Sequence, residues 1–440
     1  MMSYPSRAER VHWVSVALAL VLGCSLVWQG TATASDETDE AEEKTKDAPT
    51  TTSTADAPEA QRKPAGPGQP LLSRPQRLFP TRLKPIPHQD PPAPLLSLSA
   101  QTCNACHGEV HDQWASSGHA TAATNPVYLA ATDALGNPPL CRECHLPLQN
   151  QRVSLARGPA FLGSTAQEAN PDYEPSLALE GVTCAACHVR DGVILGPRTL
   201  PTEAAPHRVL QASEFRDVEA CAFCHQLALP GAKEHPFIDT VGEWQRSPFS
   251  QAGISCQDCH MPRVSGIIAG SRYAAFASHL GLGGRSSESL RRAITLEVEL
   301  SAASLERGGS IEASARLMNT GAGHAVPTGD PSHRLEVRFE VEGPGGKAAK
   351  GAEPESHWLA REVDTESPFT QRSDTRLQPM EVRSFDFKHT IPRNQDPGRF
   401  TLRVSVHWWA VSLEQAKATS LEQEDVHHVL VDQRIPFEVF

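Results

Sequence analysis

From about residue 291 onward, apolar side chains recur at every second position. Ile294/Leu296/Val298/Leu300, Ile311/Ala313/Ala315/Leu317, Leu335/Val337/Phe339/Val341, Phe385/Phe387 and Phe400/Leu402/Val404/Val406 all alternate with polar residues. A period of two is that of a strand with one buried face and one wet face. Turn clusters such as Arg307-Gly308-Gly309-Ser310 and Gly343-Pro344-Gly345-Gly346 separate the runs. About seven short strands over this length predict an antiparallel β-sandwich.

The N-terminus is patterned differently. Arg7 and Arg10 precede an apolar run from Trp13 to Trp28, and Ala32-Thr33-Ala34 stands before Ser35. Basic, apolar and small-residue segments in that order predict an export signal over 1–34, cut after Ala34. The run is shorter than the roughly 20 residues of a membrane span. An alternative mature start is Cys24, which follows Val21-Leu22-Gly23 in a lipobox-like order; lipidation there would tether the chain to a membrane. Residues 35–94 are rich in Asp, Glu, Thr, Ala and Pro and bury too little to offset their ordering entropy, so an acidic, Pro-rich disordered linker is expected. The fold class expected is therefore α+β multidomain: signal 1–34, linker 35–94, a short-helix, loop-rich domain over 95–290, and the β-sandwich over 291–440.

Composition narrows the partners. The chain has 440 residues, 39% of them hydrophobic, and a formal charge of -12. No Lys/Arg stripe is present to neutralise phosphates, which argues against nucleic acid. A mild acidic excess suits docking on a basic redox protein.

The chemistry is concentrated in one pattern. Cys-x-x-Cys-His occurs five times: Cys103/Cys106/His107, Cys141/Cys144/His145, Cys184/Cys187/His188, Cys221/Cys224/His225 and Cys256/Cys259/His260. Of the 11 cysteines only Cys24 lies outside a motif. Two thiols three positions apart reach the two vinyl groups on one porphyrin edge, and the next imidazole then lies under the iron as proximal ligand. A zinc ribbon needs no histidine after every second cysteine, and a thioredoxin-like redox pair needs only one such site. Five covalently attached haem c groups are expected. Cys103, Cys141, Cys184, Cys221 and Cys256 stand 38, 43, 37 and 35 residues apart, which leaves room for only short helices and loops between cofactors. Closely spaced haems form an electron path.

The sixth iron ligands separate a wire from a catalyst. After the signal only Met261, Met318 and Met380 offer thioethers, whereas fourteen of the 19 histidines lie outside the motifs. Bis-histidine ligation at low potential is the default. His207 and His88, fourteen and fifteen residues before the fourth and first motifs, are candidate distal ligands. So is His324, in the glycine-rich run from Asn319 to Gly329 that lets backbone approach a flat cofactor. His111 and His235 are expected to be solvated, as are Glu143 and Asp258. Trp114 and Trp244 either pack on porphyrin faces or fill core.

Cys103-Asn104-Ala105-Cys106-His107 followed by Trp114, Ser117 and His119 resembles the motif shared by multihaem cytochromes grouped with hydroxylamine oxidoreductase, its tetrahaem electron acceptor and pentahaem nitrite reductase. Glu243 to Pro248 leading into Cys256 to Pro262, Gly181-Val182-Thr183-Cys184, and Ser278-His279 before Gly283-Gly284 match as well. The resemblance covers roughly 100 to 330. It implies His119 and His279 as further distal ligands, and it supports His324 through a loop similar to one in multihaem cytochromes with a C-terminal β domain. The chain departs from the group in two respects. No Cys-x-x-Cys-Lys motif of the nitrite reductase kind is present. None of Tyr4, Tyr128, Tyr173 and Tyr273 stands where a haem cross-link would be recognised.

The function expected is electron transfer by a haem protein of the periplasm or cell surface, with redox protein partners and no catalytic residue assigned. The alternative is a reductase of nitrite, hydroxylamine or a sulfur oxyanion, which needs one iron with an open position.

Overall fold

In a computed structural model of the chain, the described residues are 78, 84–158, 166–200, 205–229, 232, 235–284, 286–364 and 369–440. They belong to one compact unit, Leu71–Phe440. The expected signal peptide, Cys24 and most of the expected linker lie outside the described residues. Among the described residues no helix is long and apolar enough to cross a membrane.

The N-terminal half consists of short helices: α1 (Ala100–Asn104), α2 (Gly108–Ala115), α3 (Pro126–Ala134), α4 (Pro139–His145), α5 (Cys184–His188), α6 (Glu219–His225), α7 (Thr240–Gln245), α8 (Pro248–Gln251) and α9 (Cys256–His260). None is long enough to be stable alone; each depends on its caps and on what it packs against. The Ser99 hydroxyl accepts from Gln101 N at the start of α1, and Ser255 with Asp258 closes a capping box on α9; caps of this kind contribute about 1 kcal/mol. Strands here are small: the pair β1 (Ser154–Ala156) and β2 (Gln167–Ala169), the sheet β3 (Val189–Arg190), β4 (Val193–Gly196) and β5 (Val209–Gln211), and the hairpin β6 (Arg263–Ala269) and β7 (Arg272–Ala277).

The apolar cluster of this half is modest, built on Ile86, Leu98, Leu148, Leu177, Ala185, Ala186 and Val189. Residues 84–94, at the end of the expected linker, contribute to it. Ile86 is fully buried, its N–H donates to Pro147 O, and its carbonyl accepts from Gln149 N. Gln89 N donates to Asn150 Oδ1 and Gln89 O accepts from Asn150 Nδ2. Composition in 84–94 reads as linker because the order comes from backbone pairing, which leaves little trace in residue type.

After α10 (Ser287–Ala293) come the longer strands β8 (Ile294–Leu300), β9 (Ser304–Leu305), β10 (Ser310–Asn319), β11 (Arg334–Glu342), β12 (Glu355–Val363), β13 (Gln371–Asp374), β14 (Val382–Thr390), β15 (Gly398–Trp409) and β16 (His427–Val439). Two short helices, α11 (Leu413–Ala418) and α12 (Gln423–Val426), join the last two strands. One sheet runs β14-β10-β8, the other β13-β12-β11-β15-β16-β9. Both contribute to one core containing Ile311, Leu317, Leu335, Val337, Phe339, Leu402 and Val404. Phe339 of the larger sheet stacks on Phe387 of the smaller with ring centroids 5.1 Å apart.

Candidate cofactor-binding site

Each motif ends its cysteines on a helical turn and its histidine at or just past the turn's end. What the histidine then faces is set by distant parts of the chain. His107 faces His207 with ring centroids 6.3 Å apart, His188 faces His279 at 6.2 Å, His225 faces His119 at 6.4 Å, and His260 faces His324 at 6.2 Å. Rings in van der Waals contact stack at about 3.5–4 Å, so these pairs are not stacked on one another. Two imidazoles bonded to one metal ion, with about 2 Å per bond and about 1 Å from nitrogen to ring centre, lie about 6 Å apart. The four gaps fit one iron each.

His145 is placed otherwise. Its ring is covered by Tyr128 of α3 at 4.0 Å and 10°, a true stack. Among the described residues, no second imidazole faces it in the manner of the other four.

The tautomers fit the same reading. A carbonyl oxygen can only accept, so a ring nitrogen bonded to one carries the proton. Nδ1 donates to Ile268 O from His107, to Ala122 O from His145, to Leu195 O from His188 and to Ala277 O from His279. His324 donates to Ala325 O at 3.0 Å, and His260 to Leu282 O. With Nδ1 donating, the neutral form of each ring presents its Nε2 lone pair, and the hydrogen bond fixes ring orientation, as it does for metal-bound histidines generally. Burial favours the neutral form in seven of the histidines at these sites. It pushes His225 down to about 4, with His119 next in effect, and His279 to about 4, with His188 next. His119, His145, His188, His207 and His324 are lowered first by burial too.

All ten motif cysteines are free thiols. Thiols of different motifs lie near enough to influence one another: Cys103 and Cys184, Cys224 and Cys144, and Cys221 and Cys256. These influences, followed by burial, push Cys184, Cys221 and Cys224 upward, while burial followed by Cys144 raises Cys141 to about 11. Among the described residues no group of three or more His, Cys, Asp and Glu is arranged to hold a metal ion by itself. An iron between two of these imidazoles would need its other ligands from a macrocycle, and the free thiols are spaced to attach one.

Several expectations need correction. His88 is exposed and lies 3.6 Å from Asp90. Ile86 and Gln89 are buried on either side of it, and, of the described residues, no motif ring is among the contacts seen for His88. His111 is buried rather than solvated, its ring tilted at 50° to Trp114 with centroids 5.5 Å apart. Glu143 is buried rather than solvent-facing, paired with Arg152 at 2.9 Å. Arg152 also donates to Leu146 O and Arg142 O. His235 and Asp258 are exposed.

Three positioning elements were not read from the sequence. Gly181 has φ +57°, and a Cβ there would lie 2.3 Å from His119 O. With Val182 N donating to His119 O at 2.8 Å and Trp114 Nε1 to Val182 O at 2.9 Å, it clamps the turn that carries His119. Only glycine tolerates both the left-handed backbone and the approach. Tyr128 on His145 and Glu243 beneath the His324 loop are the others. Gly181 and Glu243 stood within quoted motifs, but their contacts lie far away in sequence.

No protein-family model matches the chain, and no curated relative matches it. Among solved structures, the chain is similar to a penta-heme cytochrome c552 from Thermochromatium tepidum at 21% identity and a TM-score of 0.57, covering 77% of this chain and 98% of that one. At that identity the likeness is one of fold. The CARDB domain of a Pyrococcus furiosus protein, at 14% identity and a TM-score of 0.18, covers 33% of this chain and 87% of that one. The C-terminal domain of wzt, at 9% identity and 0.20, covers 34% and 74%. Neither of these two carries an argument.

Proposed function

We propose that the chain is an extracytoplasmic pentahaem c-type cytochrome that passes electrons along closely packed haems. The observation that carries the reading is the set of four histidine pairs, each separated by the width of a ligated iron. Cys103/Cys106 with His107 and His207 would hold the first haem, and Cys184/Cys187 with His188 and His279 the third. Cys221/Cys224 with His225 and His119 would hold the fourth, and Cys256/Cys259 with His260 and His324 the fifth. Cys141/Cys144 with His145 would hold the second. Bound haem supplies reversible one-electron chemistry, and two imidazoles per iron favour outer-sphere transfer over ligand exchange. Mutual influence between thiols supports an order with the first motif beside the third, the second beside the fourth and the fourth beside the fifth. The N-terminal export pattern supports a periplasmic or cell-surface location, with redox proteins as partners and the N-terminus as a tether. The two C-terminal sheets that share one core are read as a β-sandwich.

A second reading is favoured by one contact. His145 has Tyr128 against its face and no imidazole opposite among the described residues, so the second haem would keep one axial position for an exogenous ligand. That is what a reductase of nitrite, hydroxylamine or a sulfur oxyanion requires. Carbon monoxide titration of the reduced holoprotein tests both readings. The expected result is one carbon monoxide per chain; none bound leaves electron transfer alone, and binding at every iron rejects the four histidine pairs. Steady turnover of nitrite or hydroxylamine by the reduced protein would add catalysis.

A further inference from the structure

We infer that Glu243 is the positioning residue for the sixth ligand of the fifth haem, acting across the joint between the motif-bearing helices and the C-terminal sheets. The inference rests on the haem reading above. His324 sits on the loop between β10 and β11, while its partner His260 ends α9 in the other half of the chain.

Contacts inside the loop shape it without fixing its place. Asn319, fully buried, donates from Nδ2 to His324 O at 2.9 Å and accepts at Oδ1 from Ala322 N at 3.2 Å. Placement comes from α7. The Glu243 carboxylate accepts from Ala325 N at 3.2 Å and from Thr328 Oγ1 at 2.6 Å through one oxygen, and from Arg376 Nη1 at 2.6 Å through the other. All three donors belong to the C-terminal half, and Ala325 N is the peptide directly after His324. Glu243 and Arg376 are 4% and 6% exposed, and Asp374 holds the rest of the guanidinium at 2.7 and 2.9 Å. Gly323 lies against α7 and α8 so closely that a Cβ would meet Phe249 and Trp244 at 3.2–3.3 Å.

A carboxylate that gathers three buried donors fixes the loop more firmly than neutral hydrogen bonds would. Its removal leaves Ala325 N buried and unpaired, Thr328 Oγ1 held by Thr240 alone, and Arg376 only partly neutralised with Pro327 O as the remaining partner of Nη1, a state that buried groups relieve by moving. An axial bond tolerates little movement. The chemistry therefore assigns Glu243 control over whether the fifth iron is six-coordinate, although it touches neither iron nor ring.

The test uses the full-length holoprotein. Glu243→Ala is expected to retain all haems, to shift one fifth of them from low-spin to high-spin absorption, and to raise carbon monoxide binding by one per chain. Its spectrum should match that of His324→Ala, and adding Glu243→Ala to His324→Ala should add no further high-spin haem. Free imidazole should restore the low-spin spectrum of Glu243→Ala. Should that variant not fold, Thr328→Val, which removes one hydroxyl, is expected to bind measurably more carbon monoxide than the parent; equal binding overturns the inference. Arg361→Gln is the control. Arg361 bridges the same halves through Pro236 O and Phe237 O without touching the His324 loop, and carbon monoxide binding should not change. An increase there as well, or a Glu243→Ala protein with no more high-spin haem than the parent, overturns the role of Glu243. A parent protein without haem defeats the haem reading instead, which keeps the two failures distinct.

Discussion

Replacing Cys221 and Cys224 together by serine is expected to lower covalent haem from five to four per chain and to destabilise the protein more than any other single-motif change. The fourth motif is the one most enclosed by the others. Cys224 lies near Cys144 of the second motif and Cys221 near Cys256 of the fifth, while His225 feels His119, His260, His324 and His145 around it. A haem there would serve as core for α6, whose Phe223 is buried beside it in sequence. Loss of so large an apolar group costs at least what deleting a buried Phe or Trp side chain costs, about 3–5 kcal/mol. Pyridine haemochrome assay and thermal unfolding read the two effects. The second and fifth motifs would also lose their shared neighbour, so reoxidation of the remaining haems should become multiphasic.

His119→Ala should act on spin state with little effect on fold. The ring faces His225 across 6.4 Å, but the turn that carries it is held by its backbone, through His119 O accepting from Val182 N and from Ala122 N. Alanine keeps those bonds. The expected outcome is one haem in five turned high-spin and one additional carbon monoxide bound per chain, measured by absorption of the reduced and oxidised protein. An unchanged spectrum would remove His119 from the ligand set.

Residues that the haem reading ties together through the thioethers are the most legible in the sequence. A thioether pair and its proximal histidine must be neighbours along the chain, so the ten cysteines and five histidines are written at fixed spacing. Distal ligands obey no such constraint. His207 stands fourteen residues before the fourth motif yet faces the first, and His88 is exposed in a segment pinned by its backbone to 147–150. Tyr128 was invisible as the neighbour of His145 because α3 and α4 meet only through tertiary packing. Glu143 read as solvent-facing inside its motif, but Arg152, nine residues on, returns to cover it.

The strands divide in the same way. β10 is buried on alternate residues throughout, and β11 and β15 over most of their length, by one core, and they show it. β12 carries its three buried residues consecutively, and β16 contains Pro436 and mostly half-exposed residues beside the two-residue β9. Neither shows a clean period of two. Proline is tolerated there because β16 has almost no ladder to complete on its outer side.

The account depends on haem held through sulfur, and intact mass measured on the purified mature protein under denaturing conditions tests that most directly. Denaturation releases bound metal ions but leaves thioethers intact. The predicted mass is that of the mature polypeptide plus five haems. A mass equal to the bare polypeptide, or lower by the hydrogens lost to disulfides, would contradict it.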